Sequence, residues 1–260
     1  MRATATARTA GRIARRTAGA TLTCATLVAI ALAGGAAGDD ATVANAVPRF
    51  STSTSDRLPE GWHPQPFRDV PPTTYSIARD GDVPVVRADA SASASGLAFR
   101  FERPLDADRT LRWRWKGERL PPGGDTRARA TDDAVARVYV TFAAPAGGRG
   151  TVDRMRDATL RMLYGETPPH ATLLYVWDTA APAGATFANA YTERVRNVVV
   201  ESGPARLGEW IAYSRDVADD YRRAFGEAPG RISGIAIMTD ADNTKSRASA
   251  LFGDLTLDAR

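Results

Sequence analysis

The sequence has little from which to build a covalent or metal framework. It carries one cysteine and two histidines in 260 residues. One cysteine excludes an internal disulfide and any Cys-cluster metal site, and two histidines leave little for a three-His site. The runs that mark a dinucleotide fold, a phosphate loop, a zinc protease or a serine hydrolase (G-x-G-x-x-G, P-loop, H-E-x-x-H, G-x-S-x-G) are absent. No N-x-S/T acceptor occurs. His63 stands in His-Pro-Gln-Pro and His170 follows Pro168-Pro169, so both read as loop residues rather than as a positioned catalytic imidazole.

The basic excess is concentrated at one end. Arg2, Arg8, Arg12, Arg15 and Arg16 fall in a stretch without acids, and residues 17–38 are uncharged, most apolar at 25–33. A basic segment, a short apolar run and then small residues predict a secretory signal peptide and cleavage region over 1–46, with Ala44-Asn45-Ala46 as one cleavage site and Gly35-Ala36-Ala37 as a second. The strongly apolar part is too short to span ~30 Å of hydrocarbon, so no stable membrane span is expected in the mature chain. Cleavage after Ala46 would lower the net charge from +4 to +1, since five Arg leave together with Asp39 and Asp40. It would also remove Cys24. A near-neutral remainder without a basic block excludes nucleic acid as the expected partner. The chain is thus expected to be exported, periplasmic or secreted, with a flexible segment at 47–57 and one domain over 58–260.

Short β-type runs separated by turn residues dominate that domain. Strands are predicted near 74–79, 83–90, 96–103, 110–116, 134–142, 172–178, 194–201, 210–214, 232–239 and 249–257. Leu97, Phe99 and Phe101 alternate with polar residues, and Leu111, Trp113 and Trp115 alternate with Arg112, Arg114 and Lys116. So many closely spaced strands predict a mainly β fold, an antiparallel β-sandwich of jelly-roll type. Two short surface helices are expected. One carries Val152, Met155, Thr159 and Met162; the other carries Val217, Tyr221 and Phe225 and ends at Gly226.

Two segments carry chemistry. In 125–142, Asp133, Arg137 and Tyr139 fall on one face of a strand, with Asp125 upstream. Arg114 and Lys116 would extend this row if their strand lay alongside. A carboxylate, a guanidinium and a phenol in a row can hydrogen-bond sugar hydroxyls or anions. In 234–244, a buried strand runs into Asp240, Asp242 and Asn243, whose oxygens could serve Ca²⁺ or equally Asx-type turns. The spacing is not that of an EF-hand, and no cofactor or metal site is assigned. Trp113 and Trp115 are expected in the core, while Trp177, at a strand end beside Asp178, and Tyr191 are the aromatic candidates for stacking on a sugar ring, with the core an equal alternative for Trp177.

Seven ordered motifs also carry a resemblance: Ser93-Ala-Ser-Gly96-Leu97, Trp113-Arg-Trp-Lys116, Asp132-Asp-x-x-x-Arg-Val-Tyr-Val140, Tyr175-Val-Trp177, Ser202-Gly203, Asp220-Tyr221 with Phe225-Gly226, and Ile235-x-Ile-Met-Thr-Asp-x-Asp-Asn-Thr244. Together they resemble a bacterial exported family known as domain of unknown function 3047, over about 58–257. The resemblance implies a single exported domain and is similar, by fold analogy, to galactose-binding-like jelly rolls. It supplies no activity.

Three functions are carried forward. The first is non-catalytic binding of a carbohydrate or cell-envelope glycan through a polar sheet face. The second is a polysaccharide-acting enzyme with Asp133 and Asp240 as acid and base, which needs carboxyls ~5–9.5 Å apart. The third is an envelope scaffold that binds another protein through an exposed apolar patch.

Overall fold

The computed structural model describes residues 46–103, 110–145 and 169–258. Twelve strands run in chain order: β1 (Trp62–Pro66), β2 (Thr74–Asp80), β3 (Val83–Ser91), β4 (Ala94–Arg103), β5 (Thr110–Arg119), β6 (Ala136–Phe142), β7 (Ala171–Asp178), β8 (Thr186–Asn189), β9 (Thr192–Ser202), β10 (Ile211–Asp216), β11 (Ile232–Asp240) and β12 (Arg247–Asp258). They form a seven-stranded sheet, ordered β1-β4-β11-β6-β7-β9-β8, and a five-stranded sheet, ordered β10-β5-β12-β3-β2. The fold is the expected β-sandwich. One pairing departs from the antiparallel rule, because β7 and β9 run parallel.

Two strands were not legible. Pro64 and Pro66 break any strand pattern over 62–66, yet β1 is an edge strand, paired with β4. Proline is tolerated there because one side of the strand needs no ladder donor. The four-residue β8 is the other edge of the same sheet.

The core lies between the sheets. From the larger sheet, Leu97, Val138, Val140, Tyr175, Trp177, Ile235 and Ile237 point inward; from the smaller, Val86, Leu111, Trp113, Trp115, Ala250 and Phe252 meet them. Trp113 packs on Tyr175 and Trp115 on Trp177, with ring centroids 5.0 and 6.4 Å apart. Gly117 makes the second contact possible, since a Cβ there would lie 2.9 Å from Cζ3 of Trp177. Trp177 is therefore a core residue, and its Nε1 donates to the Gly203 carbonyl at 3.0 Å. It is not the exposed stacking platform expected from its position at a strand end.

Among the described residues one α-helix, α1 (Val217–Phe225), occurs, and it follows β10 directly. The Asp216 carboxylate accepts from the backbone N–H groups of Ala218 and Asp219, a cap worth ~1 kcal/mol. Gly226 closes the helix in the left-handed region at φ 72°. Tyr221 is buried against Phe142, so the helix plugs one end of the sandwich. The helix expected around Val152 to Met162 lies outside the described residues.

Candidate functional site

Of the expected Asp133–Arg137–Tyr139 row, Arg137 and Tyr139 share the outer face of the seven-stranded sheet, but Asp133 precedes β6 and does not join them, and that face is covered. All seven residues of β6 are buried. Phe67 and Val70 pack against a second apolar cluster there, which includes Tyr139, Leu174, Val176 and Met238. Tyr139 donates from its hydroxyl to the Met238 sulfur at 3.2 Å, and burial pushes its phenol well above the ordinary value. Arg114 and Lys116 do not join the row, because β5 belongs to the other sheet. The open polar face expected on this strand is thus a buried network.

Arg137 organises that network. Its Nε and Nη2 donate to the two oxygens of Asp240, both at 2.8 Å. Nη2 also reaches the carbonyl and Oδ1 of Asp132, at 2.8 and 3.0 Å. Asp132 sits at the end of a 3-10 turn (Arg129–Thr131), which turns its carboxylate back under the strand. Its other oxygen accepts from Asn189 at 3.3 Å. Burial works against the Arg137 cation, but Asp240 and Asp132 hold its pKa well above the ordinary value.

Asp133 points the other way and clasps the β11–β12 loop. It accepts from the backbone N–H of Asn243 at 3.1 Å and from the N–H and hydroxyl of Thr244, both at 2.6 Å. Above it, the Asn243 amide donates to the Arg129 carbonyl at 2.7 Å and to the Tyr191 hydroxyl at 3.1 Å. Tyr191 is half-buried and receives the Arg129 guanidinium on its ring at 5.2 Å. Asp125 stays apart, paired with Arg127 at 2.7 Å, which holds its carboxyl below the ordinary value despite partial burial. Sequence reasoning singled out Asp125, Asp133, Asp240, Asp242 and Asn243 but missed Thr244 and the clasp that it completes.

The structure brings Asp133, Asp240 and Asp242 together, with one oxygen from each within 4.8 Å of the others. Burial pushes the Asp240 carboxyl well above the ordinary range; Arg137 pulls against this, and Asp133, Asp132 and Asp242 add to the push. Asp242 is raised too, by burial and by Asp133. These are hard oxygen ligands of the kind Ca²⁺ takes, although Ca²⁺ wants six to eight. Asp133 and Asp240 each already accept three hydrogen bonds from the chain itself. With 0% and 2% exposure, neither carboxyl is open to a glycosidic bond.

The accessible polar face is on the five-stranded sheet. Arg112, Arg114 and Lys116 alternate outward along β5, opposite the inward Trp113 and Trp115. A groove of about 450 Å³ crosses this face, lined among others by Pro84, Arg112, Arg114, Ser214, Asp254 and Thr256. Gly253 shapes its floor. A Cβ there would lie 2.6 Å from Cγ of Arg114, so the bare Cα lets that side chain lie flat across β12. The Arg114 guanidinium then rests 4.3 Å from the centre of the Trp210 ring, with Asp80 at 3.6 Å. Ser51 donates twice to Asp254, fixing one wall. Only the alternation of β5 made this face legible; Trp210, Gly253 and Ser214 carried no signal of their own.

A family model described as "Protein of unknown function (DUF3047)" matches residues 60–256, which takes in every strand of both sheets. The chain belongs to this family. No curated protein matches the DUF3047 chain. Among solved structures it is similar to a point mutant of CBM29-2, one of the family 29 carbohydrate binding modules. The two are 10% identical at a TM-score of 0.34, over 82% of this chain and 83% of that one. It is also similar to the xyloglucanase domain of NopAA from Sinorhizobium fredii, in complex with cellobiose, at 12% identity and a TM-score of 0.40, over 79% and 97%. A third is the Emp47p carbohydrate recognition domain, at 13% and 0.38, over 85% and 99%. Likeness of this degree says nothing about what the DUF3047 chain binds.

Proposed function

We propose that this chain is an exported β-sandwich that binds a carbohydrate or cell-envelope glycan, and that it does so on the outer face of the five-stranded sheet. The observation that carries this reading is the groove over Gly253. It places the Arg114 guanidinium, itself held on the Trp210 ring, beside the hydroxyls of Ser214 and Thr256, the carboxylate of Asp254 and the apolar Val83 and Pro84. Sugar rings present hydroxyls that need both donors and acceptors, and C–H faces that need an apolar surface; this groove offers all three. Its shape is open rather than enclosed, as a polymer passing across a sheet requires. Asp254 is the one carboxylate among its lining residues, and the reading is of binding alone.

The leader supports export. A protein recovered from outside the cytoplasm should therefore lack residues 1–46, which N-terminal sequencing reads directly. Binding is tested by retention of the mature chain on immobilised envelope polysaccharides. Arg114→Ala, and Trp210→Ala through the lost support of Arg114, should each lower retention at least several-fold while lowering the melting temperature by no more than the few degrees that the cation–π contact is worth. If no polysaccharide retards the mature chain beyond a bare matrix, the reading is overturned.

Among the described residues, Val83 is the exposed large hydrophobic side chain, and it sits at the rim of the groove. One such residue is far smaller than the apolar patch that a protein-binding scaffold would present.

A further inference from the structure

A second cavity lies at the edge of the sandwich. It holds about 360 Å³ and is lined by Thr186 of β8, Val198, Val199 and Val200 of β9, Tyr213 and Arg215 of β10, and Asp220 and Arg223 of α1. Both β8 and β10 are edge strands, so the cleft is the gap where the two sheets part. Tyr213 spans that gap, donating from its hydroxyl to the Val200 carbonyl and to Glu201, both at 3.2 Å.

The charge in this cleft is unbalanced. Asp220 is the one carboxylate lining it, and Arg215 grips it with Nε and Nη2 at 2.8 and 2.7 Å. Tyr175 donates to it as well, at 2.8 Å, and Arg223 makes a further contact through Nη2. Asp220 is saturated by these donors. Burial alone would raise its carboxyl, but Arg215, Arg223 and Tyr175 outweigh burial and hold it below the ordinary value. Glu201 stands at the margin and is paired with Arg206 at 3.3 Å. Two guanidiniums on one carboxylate leave a net positive charge. Each guanidinium carries five donors, and among the described residues Arg215 spends two on Asp220 and Arg223 one.

We propose that this cleft is a second binding site, selective for a small ligand that carries an oxyanion. Arg223 supplies the main contact. Its side chain is 67% exposed, so its remaining donors are available to a ligand. Thr186 offers a hydroxyl from the opposite wall, and Val198 and Val200, which share the inward face of β9, give the body of the ligand an apolar floor. Planar guanidiniums match a carboxylate or a phosphate bidentately, and such charge-assisted bonds are stronger than those to a neutral hydroxyl. A sugar acid fits both parts of the cleft. The cleft and the groove over Gly253 both touch Tyr213 but draw their charged contacts from different side chains, Arg215 and Arg223 here and Arg114 there, so each can be tested without the other.

The test is an amide-resolved NMR titration of the mature chain with sodium glucuronate, sodium phosphate and glucose. Glucuronate should shift the amides of Thr186, Val198 to Val200, Arg215 and Arg223 saturably, and glucose should leave them in place. Phosphate acting at the same amides would assign the site to the oxyanion alone, and weaker action than glucuronate would show that the sugar body is read too. Arg223→Gln should weaken glucuronate about tenfold or more, the range of one charge-assisted bond. Thr186→Ala, with both guanidiniums intact, should weaken it less. Equal shifts with glucose, an unchanged titration in Arg223→Gln, or no saturable shift with either anion would each overturn the proposal.

Discussion

Arg137 donates to both oxygens of Asp240 at 2.8 Å, from the centre of a sheet, with 1% and 4% of the two side chains exposed. Removing one member of such a pair leaves the other buried without its partner. Arg137→Met is expected to destabilise the fold by ~3–5 kcal/mol. Adding Asp240→Leu should recover part of that loss, since an apolar pair of similar volume needs no desolvation. Urea unfolding of the two variants measures both effects. A double variant no more stable than Arg137→Met would show that the network does more than neutralise charge.

Two aspartates should give pH profiles of opposite sign. Burial and Asp133 raise the Asp242 carboxyl in the folded state, so the fold binds this proton more tightly than the unfolded chain. The penalty is absent below the unfolded value near 4 and grows as pH rises through the folded pKa. Asp242→Asn should therefore raise the melting temperature at pH 7 and leave it unchanged below about pH 4. Asp220 is held below its ordinary value, so its contribution is full above about pH 4 and is lost as pH falls through the folded pKa. Asp220→Asn should lower stability at pH 7 and flatten the acid limb of the profile. Repeating the Asp242→Asn comparison with Ca²⁺ and with EDTA adds a control. A cation held by Asp133, Asp240 and Asp242 would reverse the sign at pH 7 when Ca²⁺ is present.

Two glycines should respond unequally to the same methyl group. Gly117→Ala drives a Cβ to 2.9 Å from the Trp177 ring inside the core, where nothing can swing away, and should cost ~1–3 kcal/mol. Gly253→Ala meets only the part-exposed Arg114. Its cost should be at most the ~0.5–1 kcal/mol of an exposed cation–π contact. Thermal melts separate the two, and Trp210 fluorescence should change in Gly253→Ala as Arg114 leaves the ring.

The fold was legible because its signal is local. Alternation along β4, β5 and β6 names the inward residues whichever strand lies beside them, and Trp113 and Trp115 followed from it directly. The site was legible only in part. That Asp133, Asp240 and Asp242 converge depends on β11 lying next to β6, a pairing that alternation does not specify. The same limit hid the covering of Arg137. A polar residue on an alternating strand looks solvent-facing until something packs over it, and here Phe67 and Val70 come from a proline-rich segment with no strand pattern of its own. Trp177 misled for the reverse reason: its place at a strand end looked like a rim, while Gly117 on the opposite sheet had made room for it.

The order of strands has a consequence for how the chain reaches this state. β11 lies between β4 and β6, and β12 between β5 and β3, so each sheet closes around a strand that arrives late in the sequence. Ser51 and Asp254, bonded across one edge, are 203 residues apart. Folding must wait for nearly the whole domain before either sheet is continuous, and such non-local pairing is intrinsically slow. A nascent segment ending before β11 would expose unpaired edges on both sheets, and such edges are templates for pairing with another chain until the last two strands arrive.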